Sequence, residues 1–251
     1  MNVAKNPIIL IPSRLASLRF PNKPLADIHG EPMIVNCWRR AIEADIGPVV
    51  VACADEKIKQ VIQAVGGKAI LTDPKHMSGS DRIHEAINFI DPDNEHDCVI
   101  NFQGDLPTID PKVIASVISP MANHSIDIAT LISKISNQSE QNDPNIVKVA
   151  VGLREGKKLG RALYFSRADI PAGNGPRYHH IGVYAYRRKA LDQFVSYPRG
   201  ILEHYENLEQ LRALENGLTI GVTLVDTIPL GVDTLEDLIL AREVLKNNIS
   251  E

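Results

Sequence analysis

Cysteine is scarce in this chain, which has three cysteines in 251 residues. Cys37, Cys53 and Cys98 lie far apart, each within or beside an apolar stretch. Their spacing fits neither a zinc site nor a disulfide framework. We therefore expect buried, reduced thiols.

The chain also lacks a basic excess and long apolar runs. The net charge of −4 gives no positive field that would favour nucleic acid. Apolar runs such as Pro48–Ala54 are too short to span a bilayer. Met1–Pro7 has no basic region followed by a long apolar core, so we expect no signal peptide. These absences predict a cytoplasmic protein that binds neither nucleic acid nor membranes.

The first half of the sequence alternates short apolar runs with helical patterns. Strands are predicted at Ile8–Ile11, Val49–Cys53, Lys68–Leu71 and Asp97–Phe102, and helices at Pro32–Asp45, after a capping Asp55, and at Ser80–Ile90. Continuous apolar strands alternating with helices indicate a sheet covered on both faces. The expected fold class is therefore α/β, with a mainly parallel, Rossmann-like sheet flanked by helices.

The pattern changes after Met121. Val147–Leu153 alternates, with Lys148 and Ala150 predicted on the face opposite the valines. Tyr164–Ser166, Ile181–Tyr186 and Leu218–Val225 also read as extended, and helices are predicted at Leu202–Asn216, stopped by Gly217, and at Thr234–Lys246. We predict one domain over residues 1–251, with a small mixed or antiparallel sub-domain or dimerisation insert around residues 122–190.

A basic loop follows the first predicted strand. Ser13–Pro24 carries Arg14, Arg19 and Lys23 without an acidic residue among them. Ligands of open α/β sheets bind beyond the carboxyl ends of strands, and arginine grips phosphate oxygens with a fork. The loop contains neither a Walker pattern nor a G-x-G-x-x-G pattern. Composition alone does not separate a triphosphate-binding loop from a solvated surface loop.

Two aspartates stand where a metal site would form. Asp105 follows the fourth predicted strand and the turn residue Gly104, and Asp233 precedes the last predicted helix. Mg²⁺ prefers a few carboxylates together with waters and phosphates. Asp233 with Glu236, or Thr234 with Asp237, also makes a good helix cap, and Asp105 also fits an ordinary turn. The residues alone leave both interpretations open.

Another segment, His76–Arg82 (HMSGSDR), lies at the predicted start of a helix. Ser78 and Asp81 have the spacing of a capping box. The exposed amides of a helix N-terminus also suit an anionic or carbonyl-bearing ligand, so the two roles are compatible.

These motifs together resemble the sugar nucleotidyltransferases, in the version found in the CMP-Kdo synthetases, where Kdo is 3-deoxy-D-manno-octulosonate. The resemblance extends from Ile11 to Leu238 and includes three further segments of the chain: Ala162–Ala168 (ALYFSRA), His180–Tyr184 (HIGVY) and Leu202–Arg212, with its LEH and LEQLR motifs. It implies a nucleotide-diphospho-sugar transferase type of α/β fold, Mg²⁺ as cofactor, a homodimer, and transfer of CMP from CTP to Kdo for lipopolysaccharide biosynthesis.

The resemblance also implies roles for individual residues. Catalytic roles fall to Arg14, Lys23, Asp105 and Asp233, of which Asp105 and Asp233 hold the metal. Contacts with the nucleotide fall to Ser13, Arg14, Arg19, Lys23, Ser78, Gly79, Ser80, Arg82 and Gln103. Contacts with the sugar fall to Arg167, His180, Tyr184, Glu203 and Gln210, with Glu206 as a weaker candidate. The chain departs from the family at Leu106, where relatives have Glu, and in the shorter segment 171–179.

Three other functions fit parts of the sequence. A cytidylyltransferase for another acidic sugar, such as sialic acid, would use the same loop and metal. A glycosyltransferase would use a D-x-D motif, a form that Asp91–Asp93 has, although within a turn-like stretch. The third alternative is a non-catalytic regulator that binds CTP and does not release pyrophosphate from it. No G-x-S-x-G motif indicates a protein nucleophile.

Overall fold

The computed structural model describes residues 4–16 and 19–248. Met1–Val3, from the segment considered for a signal peptide, and Ser17 and Leu18, from the predicted basic loop, lie outside the described residues. The elements in chain order are β1 (Pro7–Ser13), β2 (Asp27–Ile28), β3 (Glu31–Pro32), α1 (Met33–Glu43), β4 (Val49–Cys53), α2 (Glu56–Ala64), β5 (Lys68–Leu71), α3 (Gly79–Ile90), β6 (Cys98–Asn101), α4 (Pro111–Ser116), β7 (Ile128–Lys134), α5 (Gln138–Asn142), β8 (Lys148–Gly152), β9 (Leu159–Ser166), β10 (Tyr178–Arg187), α6 (Arg188–Ser196), α7 (Ile201–Glu206), α8 (Leu211–Glu215), β11 (Ile220–Val225) and α9 (Leu235–Asn248).

The chain divides into two compact units. The first unit contains residues 6–115 and 229–248, and the second contains residues 116–228. Short 3₁₀ turns occur at Lys23–Leu25 in the first unit and at Ser119–Ala122 in the second. Among the described residues, no helix combines the length and apolarity needed to cross a membrane.

The first unit is built on four parallel strands in the order β5-β4-β1-β6. All five residues of β4 and Ile8–Ile11 of β1 are buried, as expected for strands covered on both faces. All four strands predicted for this part of the chain are confirmed. Because the strands are parallel, the loops that follow β1 and β6 leave the sheet at the same edge, which is where Arg14 and Asp105 lie.

The second unit contains a mixed sheet. β7 pairs with β10 antiparallel and with β11 in parallel, and β9 joins β11 to β8 through antiparallel pairs. Strand β7 had no counterpart among the predicted strands, although six of its seven residues are buried. The expected change from a parallel to a mixed or antiparallel pattern is confirmed.

One predicted helix is wrong. Leu202–Asn216 forms two short helices, α7 and α8, because Asn207 adopts a left-handed conformation (φ 53°) that ends α7. Asparagine is among the few residues that tolerate this conformation. Gln210 therefore precedes α8 and does not share a helix face with Glu203 and Glu206, as a single helix would require.

Lys148, which the alternation predicts on the face opposite the valines, is not exposed. This side chain is fully buried, and its ammonium group donates hydrogen bonds to the carbonyl oxygens of Asp143 (2.7 Å), Ile146 (2.8 Å) and Arg167 (2.9 Å). Three carbonyl acceptors satisfy the three donors of an ammonium, so the charge is tolerated without a carboxylate partner. Lys148 thus fixes the turn before β8 against the end of β9.

Replacing Lys148 with methionine should destabilise the fold by about 3 kcal/mol, because three part-buried backbone carbonyls lose their charged donor. Chemical denaturation measures this change. Lys158→Met is the matched control, because Lys158 and its partner Asp226 are both largely exposed, and about 1 kcal/mol or less is expected there. Equal effects of the two substitutions would contradict the structural role of Lys148.

Candidate functional site

The first unit contains a cleft of about 930 Å³ at the carboxyl edge of its sheet. Its lining combines the basic loop, the start of α3, the loop after β6 and Asp233, which lies just before α9. The lining residues are Pro12, Ser13, Arg14, Ala16, Arg19, Lys23, Pro24, His76, Met77, Ser78, Gly79, Arg82, Gln103, Gly104, Asp105 and Asp233. Four of these side chains are Lys or Arg and two are carboxylates, so the cleft carries a net positive charge.

The basic loop is fixed by contacts with neighbouring segments. The Leu15 amide donates to the Asp55 carboxylate (2.8 Å), and the Arg14 guanidinium donates to the His76 carbonyl (3.4 Å). Asp55 stands at the N-cap of α2 but makes no side-chain cap hydrogen bond. The predicted capping role of Asp55 is therefore wrong, because its carboxylate accepts the loop amide instead.

Lys23 lies between the two aspartates that were predicted to hold a metal. Its ammonium nitrogen is 2.9 Å from an Asp105 oxygen and 3.1 Å from an Asp233 oxygen, and Arg19 is 3.1 Å from the other Asp233 oxygen. Burial alone would lower the pKa of Lys23, but the two carboxylates outweigh it and raise that pKa above its ordinary value. The carboxylates therefore converge on one point that a cation occupies.

Backbone contacts bring the two aspartates together across a long sequence separation. The Val232 amide donates to the Asp105 carbonyl (2.9 Å), which joins the segment before α9 to the loop after β6. Gly104 lets this loop pack closely, since a Cβ there would lie 2.9 Å from the Ile34 Cδ1 atom and 3.3 Å from the Pro12 carbonyl oxygen, and both neighbours would have to shift.

The cap of α9 leaves the Asp233 carboxylate available. The Asp237 carboxylate accepts from the amides of Asp233 (3.0 Å) and Thr234 (2.9 Å), and the Thr234 hydroxyl accepts from the Asp237 amide (3.2 Å). Of the two capping boxes that the sequence allowed, the structure forms the one between Thr234 and Asp237. Asp233 therefore does not cap the helix and turns its side chain to Lys23 and Arg19.

The opposite wall of the cleft is the start of α3. Ser78 caps this helix by accepting from the Asp81 amide (3.1 Å), as its spacing indicates. Arg82 is buried and donates to the Thr72 hydroxyl (2.6 Å) and the Asp73 carbonyl (3.3 Å). Burial, reinforced by nearby Arg14, lowers the pKa of Arg82. Its Nη2 atom, like the buried hydroxyl of Ser13, has no hydrogen-bond partner within the described chain, so a polar ligand would satisfy both.

Nearly all of the predicted nucleotide and metal residues line this one cleft. They are Ser13, Arg14, Arg19, Lys23, Ser78, Gly79, Arg82, Gln103, Asp105 and Asp233. The exception is Ser80, which is buried and is not among the lining residues. Its predicted contact with the nucleotide stays a prediction that the geometry does not favour.

The predicted sugar residues all belong to the second unit, where Glu203 forms a buried ion pair. Both Glu203 oxygens accept from the Arg212 guanidinium at 2.7 Å, and Arg199 lies 3.2 Å away. Burial alone would raise the pKa of Glu203, but the Arg212 pair holds it below its ordinary value. With both oxygens engaged, the predicted sugar contact of Glu203 requires this pair to open or to share its oxygens.

His180 and Tyr184 are adjacent on β10, with ring centroids 5.3 Å apart. Burial lowers the pKa of His180 and raises that of Tyr184, so both rings are neutral near pH 7. Gln210 is buried, and its Nε2 atom has no hydrogen-bond partner within the described chain. A polar ligand in the second unit would find an imidazole, a phenol and an amide nitrogen among these three residues.

Arg167 is held at the end of β9 by Glu206. The Glu206 carboxylate accepts from the Arg167 amide (3.0 Å) and the Ser166 hydroxyl (2.7 Å), and the Glu206 carbonyl accepts from the Arg167 guanidinium (3.1 Å). Pro144 contributes a second carbonyl at 2.9 Å. Glu206 thus supports Arg167, which is a role that the sequence did not indicate.

Several supporting residues were missed because their partners are distant in sequence. Asp55 holds the basic loop, Glu85 binds the ring of His76, and Arg212 neutralises Glu203. The LEQLR motif pointed to the region of Arg212, but no periodicity relates it to Glu203, since the two residues lie on separate helices. Glu209 is likewise close enough to Tyr184 to help raise its pKa.

A parallel sheet with a basic loop, a helix N-terminus and converging carboxylates at its carboxyl edge defines an α/β protein built to bind a phosphorylated ligand. A family model described as cytidylyltransferase matches residues 8–220, and the chain belongs to this family.

Named relatives agree with this assignment. The chain is 57% identical over 240 residues to the 3-deoxy-manno-octulosonate cytidylyltransferase of Paramagnetospirillum magneticum, covering 96% of this chain and 98% of that protein. It is 58% identical over 241 residues to the protein of that name from Rhodospirillum centenum, covering 96% and 94%. A solved structure of CMP:2-keto-3-deoxy-manno-octonic acid synthetase complexed with CTP is similar with a TM-score of 0.89 and 37% identity, over 97% of this chain and all of that one. The expected α/β fold of the nucleotidyltransferase type is confirmed.

Replacing Arg212 with methionine should destabilise the protein by roughly 3–5 kcal/mol, because the buried Glu203 carboxylate loses its main partner. Arg199→Met is the matched control on the same carboxylate, where about 1 kcal/mol or less is expected because Arg199 is 61% exposed. Since the pKa of Glu203 is lowered on folding, the pair stabilises above the ordinary carboxyl pKa, and this contribution is lost as the pH falls through the folded value. Urea denaturation at neutral and acidic pH measures both effects.

Proposed function

We propose that this protein transfers CMP from CTP to the anomeric hydroxyl of Kdo, releasing pyrophosphate and giving CMP-Kdo for lipopolysaccharide biosynthesis. The observation that carries the proposal is the convergence of Asp105 and Asp233 on Lys23 within a cleft of net positive charge. The names of the relatives support the choice of nucleotide and sugar, and they favour Kdo over sialic acid.

The basic side chains of the cleft suit the triphosphate of CTP. Arg14 and Arg19 are exposed and can reach phosphate oxygens, while Lys23 is held at the carboxylates. Charge developing on the leaving pyrophosphate would be stabilised by cations already in place, which is how positioned charges accelerate phosphoryl transfer. The remaining donors are Ser13, Arg82 and the amides at the start of α3. The Ser13 hydroxyl and the Arg82 Nη2 atom, which lack partners in the described chain, suit a polar nucleotide.

We further propose that Asp105 and Asp233 hold Mg²⁺. The Lys23 ammonium supports this proposal, because both carboxylates approach it as they would approach a metal cation. Two carboxylates are a typical protein share of a magnesium site, with waters and phosphate oxygens as the other ligands. When bound, the metal would supply polarisation of the α-phosphate. Leu106, next to Asp105, adds no ligand because its side chain is apolar.

The residues predicted to contact the sugar all belong to the second unit. Arg167, supported by Glu206, suits the Kdo carboxylate because a guanidinium binds a carboxylate with two parallel hydrogen bonds. His180, Tyr184 and Gln210 suit sugar hydroxyls. The predicted homodimer and cytoplasmic location rest on the family resemblance and on composition, and they stay predictions.

The glycosyltransferase alternative loses its main support in the structure. The carboxylate of Asp91 accepts hydrogen bonds from the amides of Glu95 (2.9 Å) and His96 (3.0 Å). Asp91 is therefore engaged in organising its own turn and is not presented as half of a D-x-D metal site.

Pyrophosphate release should occur only with CTP plus Kdo when four NTPs are tested against Kdo and sialic acid, and EDTA should abolish it. A coupled phosphate assay measures the release. Activity with CTP and sialic acid would overturn the sugar assignment and keep the nucleotide assignment. Binding of CTP without release for either sugar would favour the non-catalytic regulator.

Asp105→Asn should lower kcat by about 100-fold or more, because the substitution removes one negative charge from the proposed metal site. Thermal denaturation should show a folded protein, since the Asp105 backbone contact with Val232 is retained. Asp226→Asn is the control, an exposed carboxylate outside the cleft, and should leave kcat unchanged. Normal turnover of the Asp105 variant at saturating Mg²⁺ would remove Asp105 from the metal site.

A further inference from the structure

Thr108 makes an unusual pair of hydrogen bonds with a residue more than a hundred positions away. Its hydroxyl accepts from the Leu230 amide (3.0 Å) and donates to the Leu230 carbonyl (3.3 Å). A single side-chain oxygen thereby satisfies both polar backbone groups of Leu230, which a neighbouring strand would satisfy in a sheet. Only a hydroxyl does this, because it can accept and donate at once.

The position of this contact connects it with the two aspartates. Thr108 lies three residues after Asp105, and Leu230 lies three residues before Asp233. Between them, the Val232 amide donates to the Asp105 carbonyl at 2.9 Å. The two segments are therefore joined at two points, and these contacts fix both the separation and the register of Asp105 and Asp233.

Besides the Lys23 bridge between the two carboxylates, few backbone groups can fix this register. Pro107 and Pro229 have no amide hydrogen, so neither can donate a backbone hydrogen bond across the segments. Asp237 fixes the Asp233 amide to the start of α9, but it does not join Asp233 to the loop that carries Asp105. Without the Thr108 hydroxyl, the described residues 105–108 and 230–233 would be joined by a single backbone hydrogen bond, from the Val232 amide to the Asp105 carbonyl.

We propose that Thr108 is a positioning residue that sets the geometry of the metal-binding carboxylates by tying Leu230 to the loop after β6. This inference rests on the proposed magnesium site. A ligand pair that must meet one ion needs its backbone held in place, and residues that orient ligands without touching the ion affect metal affinity strongly.

Thr108→Val and Thr108→Ser separate the hydroxyl from side-chain volume. Valine keeps the shape and removes the hydrogen bonds, whereas serine keeps the hydroxyl. Thr223→Val is the matched control, because the Thr223 hydroxyl also donates to a backbone carbonyl (Ser116, 3.0 Å) but belongs to the second unit. The readout is Mn²⁺ binding in the presence of CTP, measured by electron paramagnetic resonance, so that no turnover is needed.

Thr108→Val should raise the Kd of Mn²⁺ by about tenfold, while Thr108→Ser and Thr223→Val should leave it close to the wild-type value. If the wild-type protein binds Mn²⁺ and Thr108→Val binds it with the same Kd, the role of Thr108 is overturned while the proposed metal site stands. A wild-type protein that binds CTP but no Mn²⁺ would instead overturn the proposed metal site.

Hydrogen exchange supplies a second test, and its measurement on the wild-type protein does not depend on the variants folding. The Leu230 amide should exchange slowly, and in Thr108→Val it should exchange faster while the amides of β1 and β4 do not change. Fast exchange of Leu230 in the wild-type protein would show that the Thr108 contact does not hold the segment.

Discussion

The site depends on the hydrogen bonds that join residues 230–232 to residues 105–108, because they hold residues 229–248 in the unit that residues 6–115 build. In the sequence, residues 116–228 separate the two parts of this unit. Bringing the ends of so long a connection together has an entropic cost, although that cost grows slowly with length. Buried contacts along α9 offset it. Leu238, Ala241 and Leu245 are buried, and the carbonyl of Arg242 lies 2.7 Å from the ring of His29.

Electrostatics explain how this cleft can be assembled without a ligand. Two carboxylates held close together repel each other, but Lys23 and Arg19 lie beside them and neutralise the repulsion. The same cations then face any phosphate that enters. The arrangement therefore serves the folded state and ligand binding with one set of charges, and the net positive charge of the lining is retained in both.

The sequence was most informative where structure is local. Continuous apolar runs marked β1, β4, β5 and β6, and the Ser78 cap followed from spacing alone. The predictions from sequence failed where contacts with residues distant in the chain determine the structure. The burial of Lys148 depends on three carbonyls that its strand pattern does not reveal. The Asp55 carboxylate accepts a hydrogen bond from the Leu15 amide and makes none with the amides of its own helix. The break at Asn207 was missed because the apolar pattern continues across it. The cleft residues were identified through family resemblance, whereas the contacts of Thr108 with Leu230 and of Glu206 with Arg167 became visible only in three dimensions.

The placement of Asp233 on the segment before α9 has a consequence for the order in which the protein is made. A ribosome delivers the basic loop, Arg82 and Asp105 early, together with the four parallel strands of the first unit. The second carboxylate emerges only after the whole of residues 116–228 has been synthesised. A nascent chain can thus form most of this wall of the cleft while one of the two carboxylates beside Lys23 is still missing, so the pair comes together only after residues 116–228 have been made.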